Sequence, residues 1–339
     1  MYIPKMLLDF FKIAGCVVFY CSAVVAKEYA YVANAGSNTV SVIDTLSKQV
    51  SATVAVGNSP AGVAITPDGK SAYVANSASN TVSIIDISNN IVSATVTVGN
   101  SPQSIAITPD GKFAYVTNYS DSSVSVIDVS SNLVISTVSV GIGPFGVAIT
   151  PDGKTAYVAN SGSHNVSVIN TLTHQVSAVT VGLGPFGVAI TPDGKSTYVT
   201  NSADNTVSII NVLNNTVSSV VTVGQGPQGV AITPDGKSAY VTNFPYNTVN
   251  VINTASLQVS TIIVGGALFG VAITSDGKAA YVTNIAGTVS VIDTSIGEVT
   301  GTIAVGSQPT GLAITPPPLA TKLKNAVSNF SNIYPQKGS

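Results

Sequence analysis

The chain has 339 residues, of which 8% are charged and 45% hydrophobic, and its formal net charge is −2. Its basic side chains are all lysines, so a nearly neutral surface without arginine is poorly suited to nucleic acid or to anionic lipid. Val, Ser, Thr, Asn and Gly dominate the composition, which favours strands and turns over helices.

Residues 1–26 have the layout of a secretory signal peptide. Lys5 and Lys12 lie in a polar start, residues 13–26 form an apolar run, and small residues around Ala26 suit cleavage. The run is a poor membrane span because it is short. Lipidation at Cys16, in a segment that resembles a lipoprotein cleavage box, and a retained N-terminal anchor are the alternatives. We expect an exported protein that is periplasmic, secreted or on the cell surface.

Both cysteines, Cys16 and Cys21, lie in this first segment. A processed chain that begins near Lys27 would have neither a thiol nor a disulfide, which suits export. It would contain 11 Lys against 14 Asp plus Glu, a net charge near −3.

A Tyr-Val-x-Asn tetrad recurs with a period of 41 or 42 residues, which indicates a repeat protein. In the second repeat, the β-type runs are residues 63–65, 72–75, 81–85 and 91–98, which we name strands A to D. Four strands in about 42 residues are typical of a propeller blade. The tetrads begin at Tyr31, Tyr73, Tyr115, Tyr157, Tyr198, Tyr240 and Tyr281.

The two ends of the repeat region predict how the ring closes. The first repeat begins at its strand B, residues 29–33, whereas a spare strand A, residues 311–315, follows the last repeat. Pairing of these two strands would leave no edge within the ring unpaired. The sequence therefore predicts an all-β, seven-bladed β-propeller over residues 27–316. Each blade has four antiparallel strands, and residues 311–315 complete the N-terminal blade.

The seven tetrads, with a Thr-Pro-Asp-Gly turn before most of them, resemble the YVTN family of β-propeller repeats over residues 29–316. That family includes bacterial and archaeal exported or surface proteins, mostly without a defined activity, and it grades into seven-bladed lactonase-like propellers. The resemblance implies an exported propeller and keeps a lactonase-like hydrolase as an alternative. The chain departs from the pattern at Ser275, which replaces the turn proline, and at Pro316-Pro317-Pro318, which replaces the seventh turn.

The face of the propeller that carries the D-to-A and B-to-C loops, here called the top face, is the predicted site. One variable residue precedes strand A in each repeat and should ring the channel mouth: Ala61, Gln103, Phe145, Phe186, Gln228, Phe269 and Thr310. Aromatic residues gathered on one face favour a binding surface; packing within the channel is the alternative. We predict ligand contacts from Gln103, Phe145, Phe186, Gln228, Phe269, Tyr119, Phe244 and Tyr246.

Ionisable residues are scarce in the top-face loops. Asp121, His164 and Asp204 are candidates for an acid–base site if their side chains point inward. Two histidines make no metal-binding cluster, and no phosphate loop, serine nucleophile elbow or Cys-His pair is present. The repeated Asp residues after the turn prolines and at the ends of the C strands suit turn formation. We therefore predict neither a metal nor a cofactor.

Residues 317–339 form a C-terminal tail. In it, apolar residues recur at steps of four and three, which predicts a short amphipathic helix: Leu319, Leu323, Ala326, Phe330 and Ile333. We expect this helix to dock against the bottom face; disorder or contact with another protein is the alternative.

The sequence as a whole predicts a binding or interaction module more readily than an enzyme. Its ligand would be a small molecule, a glycan or a protein bound around the channel mouth. A lactonase-like hydrolase and a surface-layer or adhesive structural protein are the alternatives. We expect a monomer, with no nucleic-acid partner and no membrane span in the processed chain.

Overall fold

Four-stranded antiparallel sheets repeat seven times along residues 27–317, the part of the chain that the computed structural model describes. This confirms the predicted all-β, seven-bladed propeller. The predicted signal peptide and the predicted helix of the tail lie outside the described residues. Within residues 27–317, no helix is long and apolar enough to cross a membrane.

Blade one consists of the last strand of the described chain and the first three, and each of the other six blades consists of four consecutive strands. In chain order the strands are β1 (Tyr29–Asn34), β2 (Thr39–Asp44), β3 (Gln49–Ala55), β4 (Pro60–Ile65), β5 (Ser71–Asn76), β6 (Thr81–Asp86), β7 (Ile91–Thr97), β8 (Pro102–Ile107), β9 (Phe113–Asn118), β10 (Ser123–Asp128), β11 (Leu133–Ser139), β12 (Pro144–Ile149), β13 (Thr155–Asn160), β14 (Asn165–Asn170), β15 (Val176–Thr180), β16 (Pro185–Ile190), β17 (Ser196–Asn201), β18 (Thr206–Asn211), β19 (Thr216–Thr222), β20 (Pro227–Ile232), β21 (Ser238–Asn243), β22 (Thr248–Asn253), β23 (Val259–Ile263), β24 (Leu268–Ile273), β25 (Ala279–Asn284), β26 (Thr288–Asp293), β27 (Glu298–Ala304) and β28 (Pro309–Ile314).

The ring closes as predicted, by pairing of the last strand with the first. Strands β28 and β1 are antiparallel, with Ile314 opposite Ala30 and Leu312 opposite Val32. The Thr315 hydroxyl accepts a hydrogen bond from the Tyr29 N–H at 2.9 Å, and Thr66 and Ser71 make the same bond in blade two. The A-to-B turn of blade one is therefore divided between the two ends of the described chain.

The tyrosines of the tetrads join neighbouring blades. Tyr157 is fully buried, and its hydroxyl donates a 2.6 Å hydrogen bond to Oδ1 of Asn215 in the next blade. Burial raises the pKa of Tyr157 to about 12. In the same way, Tyr73 of blade two lies in one apolar cluster with Ala114 and Val116 of blade three. These contacts make the blade interfaces the core of the protein.

The repeated aspartates form turns. Asp110 Oδ1 accepts hydrogen bonds from the Thr108 hydroxyl at 2.6 Å and from the Lys112 N–H at 3.1 Å, and these bonds hold the pKa of Asp110 below its usual range. At the end of strand C in blade seven, Asp293 Oδ1 accepts from the N–H of Ser295 at 2.9 Å. These contacts agree with the predicted turn-forming role.

The bottom of the ring explains both departures from the repeat pattern. Turn prolines face the glycine of the following turn, so that Pro316 of blade one lies against Gly69 of blade two. At the junction between blades seven and one, Ser275 stands where the proline would be. Its N–H and hydroxyl donate to the carboxylate of Glu28, which is buried beside β1. This contact ties the turn of blade seven to the start of blade one.

Candidate ligand-binding site on the top face

The A strands of neighbouring blades contact one another and surround the central channel. A cavity of about 290 Å³ lies at the ends of these strands where the D-to-A loops enter them, and we call it the mouth cavity. This volume lies at the lower end of the range for small-molecule sites. Of the seven predicted rim residues, six line it: Ala61, Gln103, Phe145, Phe186, Phe269 and Thr310.

One side of the mouth cavity is aromatic. The rings of Phe145 and Phe186 stack with centroids 3.9 Å apart, and Phe186 meets Phe269 edge to face at 5.5 Å. Tyr119 extends this row beyond Phe145 at 5.4 Å, and Phe244 extends it beyond Phe269 at 6.3 Å. We call these five residues the aromatic arc. Since pairs of this geometry stabilise one another, the rings are held in place while three of them still face the cavity.

The other side of the cavity, in blades one to three, is small and polar. Gln103 Nε2 donates to the Ser77 hydroxyl at 2.9 Å and to the Ser101 hydroxyl at 3.1 Å. Thr310 donates to the carbonyl of Ala61 at 3.0 Å. Both Gln103 and Thr310 are partly exposed and line the cavity, as Ser77 does. Amide and hydroxyl groups therefore line the cavity opposite the aromatic arc, and hydrogen bonds within the rim hold them in place.

The remaining predicted contacts lie beside the cavity. Gln228 is only 8% exposed, donates to the Ser202 hydroxyl at 3.1 Å and is absent from the cavity lining. Tyr246 is 47% exposed in the B-to-C loop of blade six, also outside the lining. Tyr119 and Phe244 reach the cavity only through their ring contacts with Phe145 and Phe269.

The sequence fixes the rim backbone through threonine and glycine. Thr117 of strand β9 donates to the Phe145 carbonyl in the next blade at 2.6 Å, and Thr242 donates to the Phe269 carbonyl at 2.6 Å. Gly146, which follows Phe145, lies so close to blade five that a Cβ there would be 2.5 Å from the Phe186 carbonyl oxygen. The rim side chains therefore project from a tightly packed backbone.

The two candidate catalytic carboxylates tie top-face loops together. Asp121 Oδ2 accepts the Asn100 N–H at 2.6 Å, and Asp204 Oδ2 accepts the Leu183 N–H at 2.6 Å. The bonds from the backbone and side chain of Asn100 hold the pKa of Asp121 below its usual range. Ser79 and Ser163 accept the equivalent N–H groups in blades two and four. Neither carboxylate lines the mouth cavity.

The candidate histidine, His164, likewise binds a neighbouring loop outside the mouth cavity. His164 Nδ1 accepts the Gly184 N–H at 3.2 Å, as Oδ1 of Asn80 and Asn205 accept the corresponding N–H groups in their blades. His164 is likewise absent from the cavity lining. Residues 27–317 contain no group of three or more His, Cys, Asp and Glu side chains placed to hold a metal ion.

Two apolar residues of the top face were not predicted as site residues. Ile142 is 64% exposed and Leu183 is 48% exposed, each three positions before a rim phenylalanine. Blades two and three have Asn58 and Asn100 at this position. The sequence signal for these two residues is the contrast between apolar and polar residues at this one position when the D-to-A loops are aligned.

Comparisons with known proteins agree with the fold. Residues 22–134 and 89–178 match the family model described as lactonase, 7-bladed beta-propeller. A search of curated proteins found no match.

Solved structures extend the similarity to most of the chain. Hydrazine synthase of Kuenenia stuttgartiensis is 26% identical with a TM-score of 0.70, covering 74% of this chain and 88% of its own. A protein of unknown function from Desulfotomaculum acetoxidans is 21% identical with a TM-score of 0.76, covering 85% and 99%. A candidate 6-phosphogluconolactonase of Bacteroides fragilis is 18% identical with a TM-score of 0.74, covering 87% and 99%. The chain is thus similar to seven-bladed lactonase-type propellers in its first half and has the propeller fold throughout its described residues.

Proposed function

We propose that this protein is an exported β-propeller of the YVTN-repeat type that binds a ligand at the channel mouth on the top face. The observation that carries the proposal is the mouth cavity, with the aromatic arc on one side and amide and hydroxyl groups on the other. A concave site with apolar walls and a few polar groups is the usual form of a ligand pocket.

The chemistry of the lining favours a neutral group as the part of the ligand that enters the cavity. None of the side chains in the lining is ionisable. Placing an ion there would remove its hydration without offering an opposite charge, which is costly. Stacking on Phe145 or Phe186 and hydrogen bonds to Gln103 suit an uncharged group with an apolar face.

A lactonase-like hydrolase is the second candidate function, favoured by the family match over residues 22–178. An acid–base mechanism needs an ionisable side chain within hydrogen-bond reach of the substrate. The mouth cavity offers none, and Asp121, His164 and Asp204 are each bound to a neighbouring loop. We therefore place binding ahead of hydrolysis; turnover of neutral lactones that is lost in an Asp204→Ser variant would reverse this order.

A thermal-shift screen with small molecules and oligosaccharides tests the proposed site. We expect hits to raise the unfolding temperature of the wild-type protein, since a ligand at a concentration of 100 times its Kd stabilises by about 2.7 kcal/mol. A variant with Phe145→Ala, Phe186→Ala and Phe269→Ala should not respond. The control variant has Leu172→Ala and Leu213→Ala, which are 89% and 94% exposed in C-to-D turns, and it should respond as the wild type does. Hits that stabilise all three proteins equally would move the site away from the mouth.

The proposed export rests on residues 1–26 and has its own test. We expect protein recovered from a bacterial host to begin near Lys27 and to lie outside the cytoplasm. Cytoplasmic protein with an intact N-terminus would contradict export. A protein without any ligand response at the mouth would instead favour a surface-layer or adhesive structural role.

A further inference from the structure

We infer that the ligand is an extended segment of another protein, with an apolar side chain that enters the mouth cavity and a basic residue that lies over blades three to five. This inference rests on the proposed binding at the top face and specifies its partner.

Exposed apolar surface continues beyond the mouth cavity. Ile142 and Leu183 lie in the D-to-A loops of blades four and five and are 64% and 48% exposed. Tyr119, in the adjacent B-to-C loop of blade three, is 40% exposed and packs over Gly143 beside Phe145. A ligand confined to the cavity would leave these three side chains in water. Large exposed apolar groups around a pocket are typical of protein-binding surfaces.

Among the D-to-A loops of residues 27–317, only those of blades four and five expose a large apolar side chain. At the loop position of Ile142 and Leu183, blades two and three have Asn58 and Asn100. At the rim position of Phe145 and Phe186, blades two and three have Ala61 and Gln103. Ile142, Leu183 and Tyr119 therefore form an apolar surface beside the cavity in blades three to five, which suits a chain segment that lies across these loops.

The size of the cavity limits what enters it. Its volume of about 290 Å³ is at the lower end of the range for small-molecule sites. This is room for one large side chain and not for a folded element. The aromatic arc offers an apolar surface to that side chain, and such aromatic anchors carry most of the affinity in many protein interfaces.

The charge of the top face indicates the residue beside the anchor. Asp121 and Asp204 are exposed in the B-to-C loops of blades three and five, and Ile142 and Leu183 belong to the D-to-A loops of blades four and five. The lysines of residues 27–317 all lie before β1, in A-to-B turns or in a C-to-D turn, so none belongs to a top-face loop. Two carboxylates without a nearby lysine favour a partner with a lysine or arginine next to its anchor.

Selection from a random peptide display library against the full chain tests the inference. We expect the selected peptides to combine a large apolar residue with a nearby Lys or Arg. Peptides enriched without this combination, or no enrichment, would overturn the inference.

Two variants take their new residues from other blades and so preserve the loops. Ile142→Asn with Leu183→Asn introduces the residue of blades two and three, and it should weaken a selected peptide by about tenfold. Asp121→Ser with Asp204→Ser retains an acceptor for the loop N–H groups, as Ser79 and Ser163 do. It should weaken binding by about fivefold at low salt, with a smaller loss as salt is added. Unchanged affinity in both variants would refute the inference.

Photo-crosslinking with a benzophenone at the apolar position of the peptide gives a readout that needs no variant of the propeller. Crosslinks should form to the D-to-A loops of blades four and five, and crosslinks to the bottom turns would refute the inference. If peptides fail while small-molecule hits still depend on the three rim phenylalanines, the inference fails and the proposed function stands. If no ligand depends on those phenylalanines, both fail.

Discussion

Removal of the closing strand should cost about as much free energy as the whole fold supplies. The change is truncation before Thr310, which removes all of β28 except its first residue, Pro309. Leu312 and Ile314 are partly buried against the cluster that contains Val32 and Tyr281, and two such side chains contribute at most about 3–6 kcal/mol, the value for full burial. Each lost backbone hydrogen bond to β1 adds about 0.5–1.5 kcal/mol. The expected loss of about 5–10 kcal/mol compares with a typical total stability of about 5–15 kcal/mol.

The assay for this prediction is urea unfolding followed by circular dichroism, with size-exclusion chromatography at each truncation. The control is truncation before Pro318, which keeps all described strands. We expect the control to unfold cooperatively and the shorter chain to be unfolded or aggregated, because the edge of β1 is then unpaired. Since Thr310 and Leu312 also line the mouth cavity, ligand binding should be lost as well. Equal unfolding midpoints in the two truncations would refute the closure argument.

Three further predictions concern single side chains. Tyr157→Phe removes the hydroxyl bond to Asn215 and should lower the free energy of unfolding by about 0.5–1.5 kcal/mol. Tyr246→Phe, at an exposed site, should leave the free energy of unfolding unchanged, and a larger loss in Tyr246→Phe than in Tyr157→Phe would contradict the contact between blades. Gly57→Ala places a Cβ 2.6 Å from Asn76 Cγ and should lower the free energy of unfolding in urea by about 1–3 kcal/mol. Gly301→Ala should be tolerated because the nearest atom to its Cβ is 3.7 Å away. Equal losses in the two variants would show that the contact at Gly57 relaxes freely. Burial raises the pKa of Glu28, so the folded state favours the protonated form of this side chain. The wild type should therefore lose stability relative to Glu28→Gln as pH rises through that pKa. A difference in unfolding free energy between the two proteins that does not change with pH would contradict this.

The fold was predictable because one pattern repeats seven times. Alternating apolar strands, an Asp-Gly turn and a constant period specify the blade, and the spare strand specifies the closure. The ends of the strands were predicted less accurately, because strand A of blade two begins at Pro60 and not at residue 63. Pro60 pairs with Asn76 across a register shift, and such a bulge leaves no clear mark in the hydrophobic pattern.

The site was predictable only where position in the repeat determines it. Rim residues were identified because the topology brings the start of each A strand to the channel. Gln228 was expected to behave as Gln103 does, but Phe186 and Phe269 of the flanking blades meet each other, and Gln228 is buried. The burial of Gln228 depends on the lengths of the side chains in the neighbouring blades, and comparison of one position at a time does not show this.

The roles of the top-face ionisable residues needed the structure. Asp121, His164 and Asp204 looked chemically distinct in the sequence, yet each makes the loop bond that Ser or Asn makes in other blades. Ser275 was recognised as a departure from the repeat. The structure explains this departure, because the ring brings Ser275 beside Glu28, which lies 247 positions earlier in the chain.

A crystal structure of the complex with a bound ligand would show whether the mouth cavity is the binding site. The ligand would be the strongest hit from the thermal-shift screen or from peptide selection. We expect a neutral part of the ligand in the mouth cavity, between Phe186 and Gln103. Ligand density on the bottom turns or the outer strands, with the mouth cavity free of ligand, would contradict it.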